Sequence, residues 1–228
     1  MSADKPLKVI LFGATGMVGA SLLGELLKDD SVTAVLAVGR SACGVEHPKL
    51  KELVLGDLFD IGVAVDKLTG YDGCLYALGR SSVGLNEQQY TRITYELSVA
   101  VGQALLKANP GMGIAFVSGE GTDATEQGRV MWARVKGRAE NALLGLGFSP
   151  AVMIRLGVLV PPPGFRSKTP WIQWTYTLLR PFIPVLMALM PGMINTPGTL
   201  SRAMLKALRG QAPKAVLESK DIRALGSA

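Results

Sequence analysis

A chain of 228 residues that is 48% hydrophobic and 18% charged has enough apolar surface for one core-rich domain, and its composition excludes a disordered chain. The net charge of +6 comes from scattered Lys and Arg, with no basic run interleaved with aromatics. That argues against a nucleic-acid groove and leaves the excess charge to attract a phosphorylated cofactor or an acidic substrate. Two cysteines, Cys43 and Cys74, and one histidine, His47, exclude a secreted disulfide scaffold and a histidine zinc site, and nearly exclude a Ser-His-Asp triad; no metal is expected.

The N-terminus is a short charged prelude followed by an apolar run. It lacks the longer apolar core and the small-residue cleavage site of a signal peptide, so a cytoplasmic location is expected. In LKVILFGATG (7–16) the apolar stretch is continuous and ends in glycine, as in a strand buried on both faces. A helix is predicted over 16–28, where Val18, Leu22, Leu23, Leu26 and Leu27 fall at helical spacing. Strands are predicted over 32–40, 51–58 and 71–79, then a long helix over 86–108 that stops at Asn109-Pro110-Gly111. GIAFVSG (113–119) reads as a fifth strand, 129–147 as a helix closed by Gly145 and Gly147, and AVMIRLGVLV (151–160) as a sixth strand.

Strands alternating with helices predict an α/β fold, a single doubly wound parallel sheet of Rossmann type over residues 1–160. Residues 161–228 are expected to add a small, mostly helical C-terminal cap to the same compact unit, with a closing helix at about 198–209 and a short tail. Within the cap, WIQWTYTLLRPFIPVLMALMPGMI (171–194) is the most apolar stretch of the chain. Arg180, Pro181, Pro184 and Pro191 interrupt it, which argues against a transmembrane helix. Its Leu/Met face is read as a cover over the cofactor crevice. Peripheral membrane contact, or a homodimer surface using Trp171 and Trp174, stays open.

GATGMVG places Gly13, Gly16 and Gly19 at the first strand-to-helix junction, in a G-x-x-G-x-x-G spacing. Such a turn needs glycine to leave the strand tightly, to let a pyrophosphate approach and to seat the helix, whose N-terminus then faces the phosphates. At the end of the second strand an NAD site wants a carboxylate for the ribose diol, and this chain has Arg40 followed by Ser41. A guanidinium there suits a 2′-phosphate, so the expected cofactor is NADP. The plainer reading of Arg40 is a solvated surface arginine.

With GATGMVG, VGRS, GDL, ALG and Lys136 in view, the chain resembles the atypical, epimerase-like branch of the short-chain dehydrogenase/reductase superfamily, including the Tat-interacting oxidoreductase-like NAD(P)-binding proteins. The similarity runs from about residue 7 to 160 and more loosely through PGTLSRAMLKAL and VLESKDIRAL. It implies that Gly13, Thr15, Gly16, Met17, Val18 and Gly19 line the pyrophosphate. It likewise implies that Asp57 and Leu58 sit by the adenine and that Ala77, Leu78 and Gly79 pass under the ribose and phosphates. For Asp57 a helix-capping role is the competing reading.

The catalytic set implied by the resemblance is a serine after the fifth strand and Tyr-x-x-x-Lys on the next helix. Ser118 fits the serine and Lys136 the lysine, but Trp132 stands where the tyrosine should be. An indole N–H donates a hydrogen bond yet cannot act as an acid or base near neutral pH. No tyrosine lies between Tyr95 and Tyr176, so no change of register restores the phenol. Tyr90, Tyr95, Tyr176, Glu120 and Asp123 are the candidate substitutes, and Trp132 is expected to shape the pocket. RLG (155–157) replaces the Arg-Pro-Gly common after the sixth strand of the family.

The expected function is an NADP(H)-dependent oxidoreductase, or epimerase-like enzyme, acting on a small apolar carbonyl or alcohol. The rival is a non-catalytic NADP(H)-binding redox sensor working through a protein or membrane partner.

Overall fold

The computed structural model describes residues 5–160 and 193–227. The apolar stretch 171–194, with Trp171, Trp174 and Tyr176, therefore lies almost wholly outside the described residues. β1 (Leu7–Phe12) shows why its sequence is apolar throughout. Leu7, Val9 and Leu11 enter one hydrophobic core, while Ile10 and Phe12 enter the other, so both faces of the strand are covered.

The chain then runs through α1 (Met17–Lys28), β2 (Val32–Gly39), β3 (Leu50–Val54), a 3-10 helix (Leu58–Leu68) and β4 (Gly73–Tyr76). Next come α2 (Glu87–Thr91), a π turn (Arg92–Glu96) and α3 (Leu97–Ala108), which form one continuous helix. β5 (Gly113–Gly119), α4 (Met131–Gly145) and β6 (Ala151–Leu156) follow. A small parallel pair, β7 (Val158–Leu159) with β8 (Ile194–Asn195), precedes α5 (Pro197–Leu208), β9 (Val216–Glu218) and α6 (Ser219–Ser227).

The main sheet has seven parallel strands in the order β3-β2-β1-β4-β5-β6-β9. α1, α5 and α6 cover one face; the 3-10 helix, α3 and α4 cover the other. This is the doubly wound α/β architecture expected. The order reverses between β1 and β4, which opens a crevice at their C-terminal ends, the usual ligand position in such sheets. Below the crevice Phe12, Tyr76 and Phe116 stand in register on β1, β4 and β5. Their ring centroids are 5.5 and 5.2 Å apart, contacts that add about 0.5–1.5 kcal/mol each beyond burial.

Four expectations need correction. The third strand stops at Val54 rather than 58, because Asp57 starts the 3-10 helix and accepts a hydrogen bond from the Phe59 N–H at 3.0 Å. The long helix carries the π turn, placed where the helix passes the crevice. The sixth strand breaks at Gly157 into β6 and β7, the latter turning out to pair with β8. The "short tail" contains β9 and α6, and β9 completes the sheet against β6.

Candidate active site

The turn after β1 is built around a close approach. Gly13 has φ +85°, and a Cβ there would lie 2.6 Å from the carbonyl oxygen of Ala77 at the end of β4. The Gly16 N–H closes the turn on the Gly13 carbonyl at 2.9 Å. Gly16 then caps α1 in an extended conformation, with no side chain bonded to the first-turn N–H groups. Those donors and the positive dipole end face the crevice, as an anion site requires. Gly19 differs from expectation: it lines no part of the crevice. It seats the helix on the turn, and a Cβ there would come within 2.0 Å of the Gly13 carbonyl oxygen.

Three adjoining cavities follow the C-terminal edge of the sheet. One, of about 250 Å³, is lined by Gly13, Thr15, Arg40, Ser41 and Leu58 among others. The second, of about 240 Å³, has Arg40, Asp57, Leu58, Leu78 and Gly79, together with Arg80 and Arg92. Arg92 lies 4.6 Å from the Phe59 ring centroid, a cation–π contact. The third and largest, of about 410 Å³, runs from Gly16, Met17 and Val18 past Ala77, Leu78 and Gly79 to Ser118 and Lys136. Leu156 and Gly157 of RLG line it as well. All the expected cofactor residues except Gly19 therefore lie along one edge. Cys43 also lines the first cavity, where burial first, and then Glu52, push its thiol up to about 12, away from the thiolate form.

At the large end, Ser118 closes β5 and is buried, and its hydroxyl donates to Glu140 Oε1. Glu140 is only 1% exposed and is gripped by Arg155, with Nη2 to Oε2 at 2.6 Å and Nε to Oε1 at 3.1 Å. Arg155 also pairs with Glu218 at 3.0 Å, its register partner on β9. Lys136 stands one helical turn before Glu140 and makes no hydrogen bond or ion pair among the described residues. Burial pushes its ammonium below the ordinary lysine value, and the charge of Glu140 opposes that push.

No family model matches the chain. "Protein fmp52-2, mitochondrial" of Aspergillus oryzae is 28% identical over 229 residues, covering 95% of each chain. Among solved structures, WbmG of Bordetella bronchiseptica in complex with NAD superposes with a TM-score of 0.68 at 13% identity, over 96% of this chain and 74% of that one. A short chain dehydrogenase family protein from Francisella tularensis gives a TM-score of 0.64 at 12% identity, over 93% and 96%. The fold is that of the short-chain dehydrogenases. The cytoplasmic location expected above is withdrawn, because the curated fungal relatives carry "mitochondrial" in their names.

Within this short-chain dehydrogenase fold the substitutes for the absent phenol fare unequally. Tyr90 is buried in the core, where desolvation pushes its phenol up. The Tyr95 ring lies 4.1 Å under the Arg138 guanidinium. Neither lines the three cavities. Tyr176 lies outside the described residues. Asp123 is spent on its own loop: it accepts from the Thr125 hydroxyl at 2.6 Å and the Gly128 N–H at 2.6 Å, bonds that hold its carboxyl below the usual range. Glu120 places a carboxylate oxygen beside Gly157, at the rim of the large cavity.

Trp132 does not line the large cavity. Its ring packs over Gly119 and Gly121 in the loop after β5. Sequence reasoning missed Glu140, Arg155, Arg80 and Arg92. The first pair did leave a trace: Glu140 follows Lys136 at a four-residue spacing, and Arg155 interrupts an otherwise apolar strand.

Proposed function

We propose that this chain binds NADP(H) in the crevice and is an oxidoreductase acting on a small, apolar carbonyl or alcohol. The observation that carries this reading is a row of three adjoining cavities, with Arg40 at one end and Ser118 and Lys136 at the other. Val117, Leu156, Val158 and Leu159 give the Ser118 end its apolar walls, which favours an apolar substrate. Gly13, Gly16 and the first turn of α1 would hold the pyrophosphate, and Asp57 and Leu58 the adenine. A reduced nicotinamide supplies hydride when bound. Lys136 would hold the nicotinamide ribose with one N–H, and Ser118, whose own proton goes to Glu140, would orient an alcohol substrate by accepting from its hydroxyl.

Arg40 is exposed and makes no ion pair among the described residues, so its guanidinium is free for a 2′-phosphate. A charged hydrogen bond contributes about 1.5–3 kcal/mol, so Arg40→Ala should weaken NADPH binding roughly 10- to 150-fold and leave NADH nearly unchanged. Fluorescence titration with both nucleotides tests this. Equal wild-type affinity for the two, or unaltered NADPH affinity in the variant, would refute the preference.

The non-catalytic sensor reading keeps one observation in its favour: no phenol lines the cavity among the described residues. A substrate screen following NADPH absorbance, on wild type and Trp132→Tyr together, separates the two. NADPH binding without turnover on any carbonyl, combined with altered affinity for a partner, would favour the sensor.

A further inference from the structure

Building on the oxidoreductase reading, we propose that Lys136 itself exchanges the proton with the substrate oxygen, the task given to a phenol in the family pattern. Ser118 lines the large cavity together with Lys136. Its one hydroxyl proton is directed at Glu140, so toward the cavity it presents lone pairs and accepts rather than donates. Glu140 in turn accepts from Ser118 and Arg155 and makes no hydrogen bond with the lysine. Lys136 thus lines the same cavity as Ser118 with its three donors uncommitted among the described residues.

The charged groups around the lysine come from four directions. Glu140 lies one turn further along α4, gripped in turn by Arg155 of β6, which has Glu218 behind it. Glu120 stands at the rim after β5, and Arg80 after β4. Of the cations lining this cavity, a guanidinium does not release a proton in a protein, which leaves the ammonium. Burial favours the neutral amine, so the proton leaves more readily than from a surface lysine.

In reduction the carbonyl π pair moves to oxygen, a C–H bond forms with hydride from the reduced nicotinamide, and an O–H bond forms as the Nζ–H bond breaks. The neutral amine then recovers a proton from water. Turnover in this direction must fall as pH rises through the lowered lysine value, and alcohol oxidation must rise.

Lys136→Arg is the discriminating variant, because it keeps the positive charge and a ribose donor but cannot shed a proton. NADPH affinity should stay within about threefold, while kcat falls about 100-fold or more, the ordinary scale of general acid catalysis. A variant retaining over half of wild-type kcat would leave the lysine as a ribose anchor only and overturn the proposal. A second readout needs no turnover: in protein labelled with 13C-lysine, the resonance absent from Lys136→Arg is titrated by NMR. A midpoint below the ordinary 10.5 is expected, and one at 10.5 or above overturns the lysine's role while leaving the cofactor reading intact. Wild-type protein that fails to bind NADPH overturns the cofactor reading on which the proposal rests, whatever the midpoint.

Discussion

Arg155→Met is expected to lower the unfolding free energy by about 3–5 kcal/mol, the usual cost of stranding one partner of a buried ion pair. The stranded partner would be Glu140, which is 1% exposed and loses three of its four hydrogen bonds, all from the guanidinium. For a domain of this size a loss of that scale shifts Tm by roughly 6–20 °C. The double variant Arg155→Met with Glu140→Met should recover most of the loss, because a buried pair replaced by apolar groups of similar volume is close to neutral. On the proposed oxidoreductase reading it should not recover turnover, since the Ser118 hydroxyl is then released to rotate and no longer presents a fixed acceptor. Guanidinium denaturation of the two variants decides the matter. A single variant less than about 1 kcal/mol below wild type, or a double variant no better than the single, would mean that this network bears little of the fold's stability.

Where the physics is local, the sequence is easily read. The apolar run 7–12 and the glycines that follow it predict a covered strand and a tight turn into a helix, and both appear in place. Arg40, Ser118 and Lys136 fall at the strand ends and helix face that the pattern assigns them. What escaped depends on contacts across the fold. Glu140 and Arg155 are separated by 15 positions, on a helix and a strand, and meet only when α4 packs against the sheet. β9 has three residues, too few for a periodic signal, and its placement comes from parallel pairing with β6. The same pairing sets Glu218 opposite Arg155. For Trp132 the lost phenol was legible, but the docking of its ring on Gly119 and Gly121 was not, because it depends on the path of the loop after β5. Gly19 shows the reverse case: the family resemblance groups it with the ligand, while the packing gives it the helix-seating role that the glycine motif also needs.

Two glycine-to-alanine changes in α1 should move in opposite directions, and the contrast tests whether the glycine turn holds the proposed cofactor. At Gly24 an added methyl meets nothing within 4 Å, so alanine should stabilise the helix by about 0.5–1 kcal/mol and leave nucleotide binding unchanged. At Gly19 the added carbon would lie 2.0 Å from the Gly13 carbonyl oxygen and 2.5 Å from its carbon. Both atoms are backbone, and no rotamer change relieves the clash, so the helix must lift off the turn by roughly 1 Å. Overpacking of this kind costs about 1–3 kcal/mol, and the upper end is expected because two rigid elements are forced apart. The first-turn N–H groups move with the helix, and a displacement of that order at a positioned site can cost about 100-fold. Gly19→Ala is therefore expected to lose NADPH affinity by about that factor, measured by fluorescence titration beside Gly24→Ala. If both variants bind as wild type, the seat of α1 on the Gly13 turn is not what holds the phosphate donors in place. If both lose affinity equally, the effect belongs to the helix as a whole rather than to the one contact where backbone meets backbone.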